Sequence, residues 1–223
     1  MRRTAYRAIL CIGLVTGTTL AQADNAPPAM LADYAVGAYE AGRFDEAARL
    51  FERAARAGNR LAQFNLAMML YRKETSAPEA DAAWRWLRRA AAGGLPQAQF
   101  SLALLYDHGN GVPRSLPTAA EWYRRAAQQG HTEAQVSLAS MYFVGQGVAR
   151  DDTESARWYL AAARAGHVGA QYIIGAMYET GDGVPADLRE AARWYLLAAQ
   201  QGDVIAREKH QAIEAQLESA AEH

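Results

Sequence analysis

The sequence has little of several residue types that mark large classes of proteins. Of its 223 residues only one is cysteine, Cys11, and only two are lysine, against 21 arginines. One cysteine near the start excludes a disulfide framework and a cysteine-based metal site in the rest of the chain. The formal net charge of −1 lacks the basic excess of nucleic-acid-binding proteins, so we expect no nucleic-acid partner.

Aromatic residues are also few, whereas alanine is abundant. The chain has five Phe, five Trp and 11 Tyr against 50 Ala. Alanine has the highest helix propensity and lets helices approach closely, so the composition favours packed helices over sheets. With 51% hydrophobic and 21% charged residues, the composition is that of a globular protein and excludes a disordered chain.

Residues 1–23 have the pattern of a secretory signal peptide. Three arginines precede an apolar stretch at residues 8–20, which is too short to span a bilayer as an ordinary helix. Ala21-Gln22-Ala23 offers a cleavage site, so we expect cleavage after Ala23; a retained membrane anchor is the alternative. Cleavage would remove Cys11 and leave no transmembrane segment. We therefore expect a periplasmic or secreted bacterial protein.

A period of 36 residues runs through the rest of the chain. One glycine recurs five times at this spacing, at Gly58, Gly94, Gly130, Gly166 and Gly202. A tryptophan recurs four times, at Trp86, Trp122, Trp158 and Trp194. An alanine-glutamine pair recurs at Ala62-Gln63, Ala98-Gln99, Ala134-Gln135 and Ala170-Gln171. The chain is therefore built from repeated units.

Each unit contains two helices. Helix A has an apolar stripe at i, i+4 and i+8, as in Ala62, Leu66 and Leu70, and helix B has a similar stripe through Ala156 and Tyr159. Because a hairpin of helices about 13 residues long cannot bury its own apolar face, successive hairpins must stack. The sequence predicts an all-α fold, a right-handed α/α superhelical solenoid of 36-residue helical hairpins.

Both ends of helix B have sequence signals. Ser115, Asp151 and Asp187 occupy the cap position at its start, and Glu154 and Glu190 have the spacing of a reciprocal capping pair with the two aspartates. The recurring glycine is typical of a left-handed residue that ends a helix. These signals predict helix B from the cap residue to the glycine.

A Gly-x-Gly-Val turn separates helix A from helix B at residues 109–112, 145–148 and 181–184. Gly181-Asp182-Gly183 could suggest a calcium loop, but the other carboxylates of an EF-type loop are missing. A phosphate-binding loop is excluded because no Lys-Ser/Thr follows and no strand precedes. We therefore predict a tight turn.

The pattern divides the chain into four parts. A signal peptide (1–23) is followed by a leader and first helix (24–43), in which residues 24–29 are predicted as a loose leader. The repeat array covers 44–202, with Lys73-Glu74-Thr75 in place of the first Gly-x-Gly. Residues 203–223 are predicted as a C-terminal capping helix because Arg207 and His210 replace the glutamine and leucine of helix A.

The repeat resembles the Sel-one-like repeat (SLR) family of the tetratricopeptide superfamily. The full pattern is Ala-Gln-x-x-Leu-x-x-x-Tyr-x-x-Gly-x-Gly-Val, then Ala-x-x-Trp-Tyr-x-x-Ala-Ala-x-x-Gly, seen best in residues 170–202. The resemblance implies an adaptor or scaffold, since exported bacterial members include regulators of sensor kinases, envelope-assembly factors and host-interaction proteins. Some cysteine-rich members are linked to penicillin binding, but their paired cysteines are absent here.

The sequence offers little catalytic or metal-binding chemistry. His131 and His167 lie one period apart and could ligate a metal from adjacent units, but neighbouring helices are about 10 Å apart. We interpret these histidines as polar residues that open helix A. Ser101 and Ser137 have no neighbouring base in the sequence. We therefore expect no cofactor, no metal site and no enzymatic activity.

One face of helix A is apolar without being needed for the predicted core. It contains the positions two before, two after and five after the core Leu or Ile, which line the concave groove in tetratricopeptide relatives. We predict that a protein or peptide binds this surface through Phe64, Met68, Tyr71, Phe100, Leu104, His108, Val136, Phe143 and Tyr172. Packing of these residues on a neighbouring helix, or filling of the groove by residues 203–223, remains an alternative.

The sequence thus leads to three hypotheses about function. The first is a monomeric, non-catalytic periplasmic adaptor that regulates or assembles an envelope complex through this groove. The second is a secreted host-interaction factor, and the third an enzyme that acts on cell-wall material or β-lactams. The arginines of helix B, among them Arg124, Arg125, Arg157 and Arg193, are interpreted as a solvated convex face.

Overall fold

The computed structural model describes residues 26–75 and 80–221, and within these ranges the chain is helical with no strand. The signal-peptide prediction lies outside the described residues. In the described residues eleven helices follow one another, which we label α1 Pro28–Glu40, α2 Phe44–Arg56, α3 Arg60–Tyr71, α4 Ala80–Ala92, α5 Pro96–His108, α6 Leu116–Gln128, α7 Thr132–Val144, α8 Asp152–Arg164, α9 Val168–Thr180, α10 Leu188–Gln200 and α11 Val204–Ala221.

The order of helices confirms the predicted array of helical hairpins. From α3 to α10 the odd-numbered helices are the A helices and the even-numbered ones are the B helices. Most helices have 13 residues, as the repeat pattern predicts. The first hairpin, α1 and α2, has a turn of only three residues, 41–43.

The chain divides into two compact units, Met1–Gln99 and Phe100–His223. In the first unit the buried core centres on Leu31, Leu50, Phe51 and Leu66, surrounded by alanines. In the second unit one core cluster surrounds Tyr123, Leu138, Trp158, Tyr159 and Ile174, and another surrounds Tyr195 and Ile213. Large side chains are thus interspersed with fully buried alanines, which explains why so much alanine is needed.

The recurring glycine ends helix B as predicted. After α8, Gly166 has a φ of +91°, a left-handed conformation that costs glycine little. The backbone N–H groups of Gly166 and His167 donate to the carbonyls of Ala163 and Ala162. This is the Schellman arrangement, which satisfies carbonyls that the helix end leaves free. The same pair of hydrogen bonds follows α2, α4, α6 and α10.

Two of the Gly-x-Gly turns lie close to the B helix of the preceding repeat. A Cβ atom on Gly147 would lie 2.5 Å from the carbonyl oxygen of Leu116, the first residue of α6. A Cβ atom on Gly183 would overlap the carbonyl of Asp152, the first residue of α8. At Gly147 and Gly183 glycine is therefore required both for the positive φ and for close contact with the preceding B helix.

The predicted caps of helix B are present, with one difference. Ser115, Asp151 and Asp187 each accept a backbone N–H in the first turn of the following helix. The two glutamates do not complete reciprocal pairs as predicted. Glu154 and Glu190 instead form ion pairs with the arginines three residues further along, since these arginines lie on the same helix face and carry the opposite charge.

A row of buried glutamines joins each A helix to the preceding B helix. The side-chain amide donates to an alanine carbonyl eight residues earlier, over 3.0–3.2 Å, in the pairs Gln63–Ala55, Gln99–Ala91, Gln135–Ala127 and Gln171–Ala163. The Oε1 atom of Gln171 also accepts a hydrogen bond from Gln201 at 2.8 Å. The Oε1 atoms of Gln63 and Gln135 are buried and have no hydrogen-bond partner among the described residues.

The two ends of the array depart from the repeat. Helix α1 begins at Pro28, inside the segment predicted as a loose leader, because proline is well accommodated in the first turn of a helix. Helix α11 has 18 residues and takes the place of an A helix, with Ala206 and Ile213 buried and Arg207 exposed. No helix in residues 26–75 and 80–221 is long and apolar enough to cross a membrane.

Candidate partner-binding surface

The predicted binding residues differ widely in exposure. We call them, together with the equivalent positions of each A helix, the A-helix row. Phe64 is buried, with 8% of its surface exposed, whereas Tyr71 and Phe143 are 58% and 42% exposed. His108 is also exposed, and the half-buried members are Met68, Phe100, Leu104, Val136 and Tyr172. The exposed members of the row therefore lie at the C-terminal ends of α3, α5 and α7.

The half-buried aromatic residues of the row pack on tyrosines of helix B. The ring centroids of Phe100 and Tyr123 are 5.7 Å apart, and those of Tyr172 and Tyr195 are 5.4 Å apart. Phe100 also stacks on His131, with centroids 4.6 Å apart and planes 22° apart. These contacts hold the rings in place, so one edge can meet a partner without a large loss of side-chain entropy.

The position five residues after the core Leu or Ile alternates between an aromatic residue and an acid. It is occupied by Tyr71, Asp107, Phe143 and Glu179. Both acids accept a hydrogen bond from a tyrosine of the following B helix, Asp107 from Tyr123 at 3.3 Å and Glu179 from Tyr195 at 2.7 Å. The aromatic members remain exposed, and Val144 beside Phe143 adds a further exposed apolar side chain that sequence reasoning missed.

Glu179 forms the strongest polar contact of the row. Its carboxylate also binds Lys209 of α11, with Nζ 2.9 and 3.1 Å from the two oxygens. Burial alone raises the pKa of Glu179, but the hydrogen bonds from Tyr195 and Lys209 and the Lys209 charge outweigh it, and the pKa lies below its ordinary value. Burial and the neighbouring carboxylate raise the pKa of Tyr195, so its phenol stays protonated as a donor.

Positive charge is absent from three A helices and concentrated on the B helices. Helices α5, α7 and α9 contain no lysine or arginine. The arginines of helix B lie beside acids of their own helix, as in Arg124–Glu121 at 2.8 Å and Arg157–Glu154 at 2.7 Å. Because these pairs are largely exposed, they neutralise the B-helix face and stabilise it little. The A-helix row is thus apolar with a few carboxylates.

His131 and His167 open helices α7 and α9, which confirms their interpretation as helix-opening residues. In each case Nδ1 accepts the backbone N–H three residues further on, from Ala134 at 3.3 Å and Ala170 at 3.0 Å. Asn59 has the same role at the start of α3. In both histidines Nδ1 is thus engaged as a helix cap.

The other candidate chemistry also has a structural explanation. The Oδ2 atom of Asp182 accepts a hydrogen bond from the Thr180 hydroxyl at 2.7 Å, and the Ser137 hydroxyl donates to the Glu133 carbonyl at 2.9 Å. In the part of the chain that the structure describes, no three His, Cys, Asp or Glu side chains are grouped so that they could hold a metal ion.

The fold and the repeated site residues define a class of helical-repeat protein. The Sel1 repeat model matches residues 30–59, 60–95, 96–131, 132–167 and 168–203. The chain therefore belongs to the Sel1 repeat family. The first match begins at residue 30, so α1 and α2 together form one repeat. A comparison with functionally curated proteins returned no match.

Two solved structures are similar over most of the chain. A protective antigen of uropathogenic Escherichia coli with an SLR fold is 32% identical, with a TM-score of 0.75 over 83% of this chain and 41% of the antigen. A Sel1 repeat protein from Oxalobacter formigenes is 30% identical, with a TM-score of 0.74 over 78% of this chain and 72% of that protein. The chain thus spans less than half the length of the antigen.

Proposed function

We propose that this protein is a non-catalytic adaptor that binds a protein or a peptide through the A-helix row. The observation that carries the proposal is the exposed apolar pair Phe143 and Val144 at the end of helix α7. Large, partly exposed aromatic residues are typical of binding hot spots. They supply contact area at a small cost in side-chain entropy.

The surroundings of Phe143 indicate the chemistry of the binding surface. Val144 is 57% exposed beside it, and the guanidinium of Arg150 lies 5.7 Å from the Phe143 ring centroid. Helices α5, α7 and α9 contribute carboxylates and no lysine or arginine. A partner segment with apolar side chains at its centre fits this surface.

The pattern of a secretory signal peptide in residues 1–23 supports a location outside the cytoplasm for the proposed adaptor. With cleavage after Ala23, the protein would act in the periplasm, where it would regulate or assemble an envelope complex. The similarity to a protective antigen supports a second candidate, a secreted factor that interacts with host proteins. Immunodetection in periplasmic and culture-supernatant fractions, with N-terminal sequencing, separates the two candidates and tests the cleavage site.

The adaptor proposal can be tested with two variants of matched exposure. Phe143 on the A-helix row and Leu197 on helix α10 are both 42% exposed and apolar. In crosslinked affinity capture from periplasmic extract, we expect Phe143→Ser to lose a protein that both the wild type and Leu197→Ser retain. Both variants should keep the wild-type circular dichroism spectrum. Equal capture by the wild type and Phe143→Ser, or equal loss in both variants, would contradict a role for the row.

A further inference from the structure

The N-terminal turn of helix α7 depends on an uncharged histidine. His131 Nδ1 accepts the N–H of Ala134, and a nitrogen that accepts a hydrogen bond carries no proton. At the same register position Asn59 accepts from Ala62 at 2.9 Å and Asp203 accepts from Ala206 at 3.0 Å. Unlike those two residues, a histidine titrates between neutral and mildly acidic pH.

The same histidine ring supports a residue of the A-helix row. It stacks on Phe100 of α5 with 4.6 Å between the ring centroids. Its backbone N–H donates to the carbonyl of Ala126 at the end of α6. The residue thus lies where the end of a B helix, the start of the next A helix and the row meet. A change in the protonation of its ring acts on the start of α7 and on Phe100.

Two elements face the ring, and one of them brings a charge. Helix α5 presents the uncharged Phe100, whereas α7 presents Glu133. Burial lowers the pKa of His131, and the Glu133 charge opposes this effect without cancelling it. Among the described residues Glu133 is the one ionisable neighbour whose charge acts on His131. The folded protein therefore holds the ring in its neutral form.

We propose that the start of α7 is a pH-sensitive element: protonation of His131 removes the cap on Ala134 and releases the ring that supports Phe100. Acidification then loosens the first turn of α7 and frees the Phe100 side chain. The opening of the turn depends only on this geometry. The consequence for partner binding, a surface altered at low pH, rests on the proposed function of the A-helix row.

His167 opens α9 with a similar cap, and its Nε2 atom lies 3.8 Å from Glu133 Oε1. Glu133 thus lies near both rings. The proposal concerns His131 because its ring also stacks on Phe100.

The test compares unfolding of the purified wild type and His131→Asn in urea between pH 7.5 and pH 5.0. Asparagine caps α3 through Asn59, so His131→Asn keeps a cap that does not titrate in this range. A histidine that folding holds neutral contributes stability above its ordinary pKa and loses it as the pH falls. Relative to His131→Asn, the wild-type unfolding constant should rise about fivefold across this range, the size of a lost helix cap.

In proton-nitrogen spectra, titration of the His131 ring should coincide with shifts of the amides of residues 132–135 and of the Phe100 ring. A stability difference between wild type and His131→Asn that does not change with pH would overturn the proposal. Shifts that stop at the His131 ring itself would overturn it as well. Neither measurement requires a partner, so the result is independent of the proposed function.

Discussion

The buried Oε1 atom of Gln135 has no hydrogen-bond partner among the described residues, but the next repeat has a side chain that donates to the equivalent atom. Gln171 is the equivalent of Gln135, and its Oε1 accepts a hydrogen bond from Gln201, which caps the end of α10. The position equivalent to Gln201 is Ala165, which caps the end of α8 and leaves Gln135 Oε1 without a partner. The perturbation is Ala165→Gln, which places an amide donor near that atom.

The magnitude follows from the two environments. Ala165 has φ −76° and ψ 0°, close to the −90° and 6° of Gln201, so the new side chain starts from nearly the same backbone. Leaving a buried acceptor unpaired costs about 1–3 kcal/mol. Fixing a glutamine side chain costs up to about 1.5 kcal/mol. We expect Ala165→Gln to raise the free energy of unfolding by about 1 kcal/mol.

The assay is urea unfolding at pH 7.5 and 25 °C, followed by circular dichroism. Ala165→Met is the control, since methionine has a similar length but no donor and should leave stability nearly unchanged. The reciprocal variant Gln201→Ala should cost about 1–2 kcal/mol because it strips Gln171 Oε1 of its partner. A gain for Ala165→Met equal to that for Ala165→Gln would refute the hydrogen-bond reasoning, since packing alone would explain it.

Three further predictions concern single positions of the repeat. Gly183→Ala should lower the free energy of unfolding by about 3 kcal/mol or more because the new Cβ would overlap the Asp152 carbonyl. Gly111→Ala should cost about 1 kcal/mol, since Gly111 also has a positive φ but a Cβ there meets none of the described residues within 4 Å. Chemical denaturation of both variants checks the difference. Lys73 has a φ of +56°, so Lys73→Gly should raise the free energy of unfolding by about 0.5–1 kcal/mol, and an unchanged or lower denaturation midpoint would contradict this strain. Ser155 is fully buried and its hydroxyl has no hydrogen-bond partner among the described residues, so Ser155→Ala should raise stability by about 1 kcal/mol in thermal unfolding, with destabilisation as the contrary result.

The helices and their ends could be predicted from the sequence because local signals determine them. The glycine after each B helix, the cap residues Ser115, Asp151 and Asp187, and the histidines at the start of α7 and α9 act within one turn of their own position. A single chain with five copies of a unit also shows which signals recur. The start of α1 was missed because Pro28 suits both a leader and a first helical turn.

The exposure of the A-helix row could not be predicted in the same way. Phe64 and Phe143 belong to the same apolar face, yet one is 8% and the other 42% exposed. Burial depends on residues of other helices, such as the tyrosine that packs on Phe100. A helical pattern gives the direction of a side chain but not what lies opposite it. Which of these residues meet a partner remains a prediction.

The close contact of the Gly-x-Gly turn has a consequence for how such a chain can change its length. Gly147 meets Leu116 and Gly183 meets Asp152, and in both pairs the contacting residues are 31 positions apart. An insertion of a few residues between the partners would move a bulkier side chain into a space that accepts only hydrogen. Copying or deleting a whole repeat preserves the distance along the chain. Genes of this kind are therefore expected to grow and shrink in steps of 36 codons.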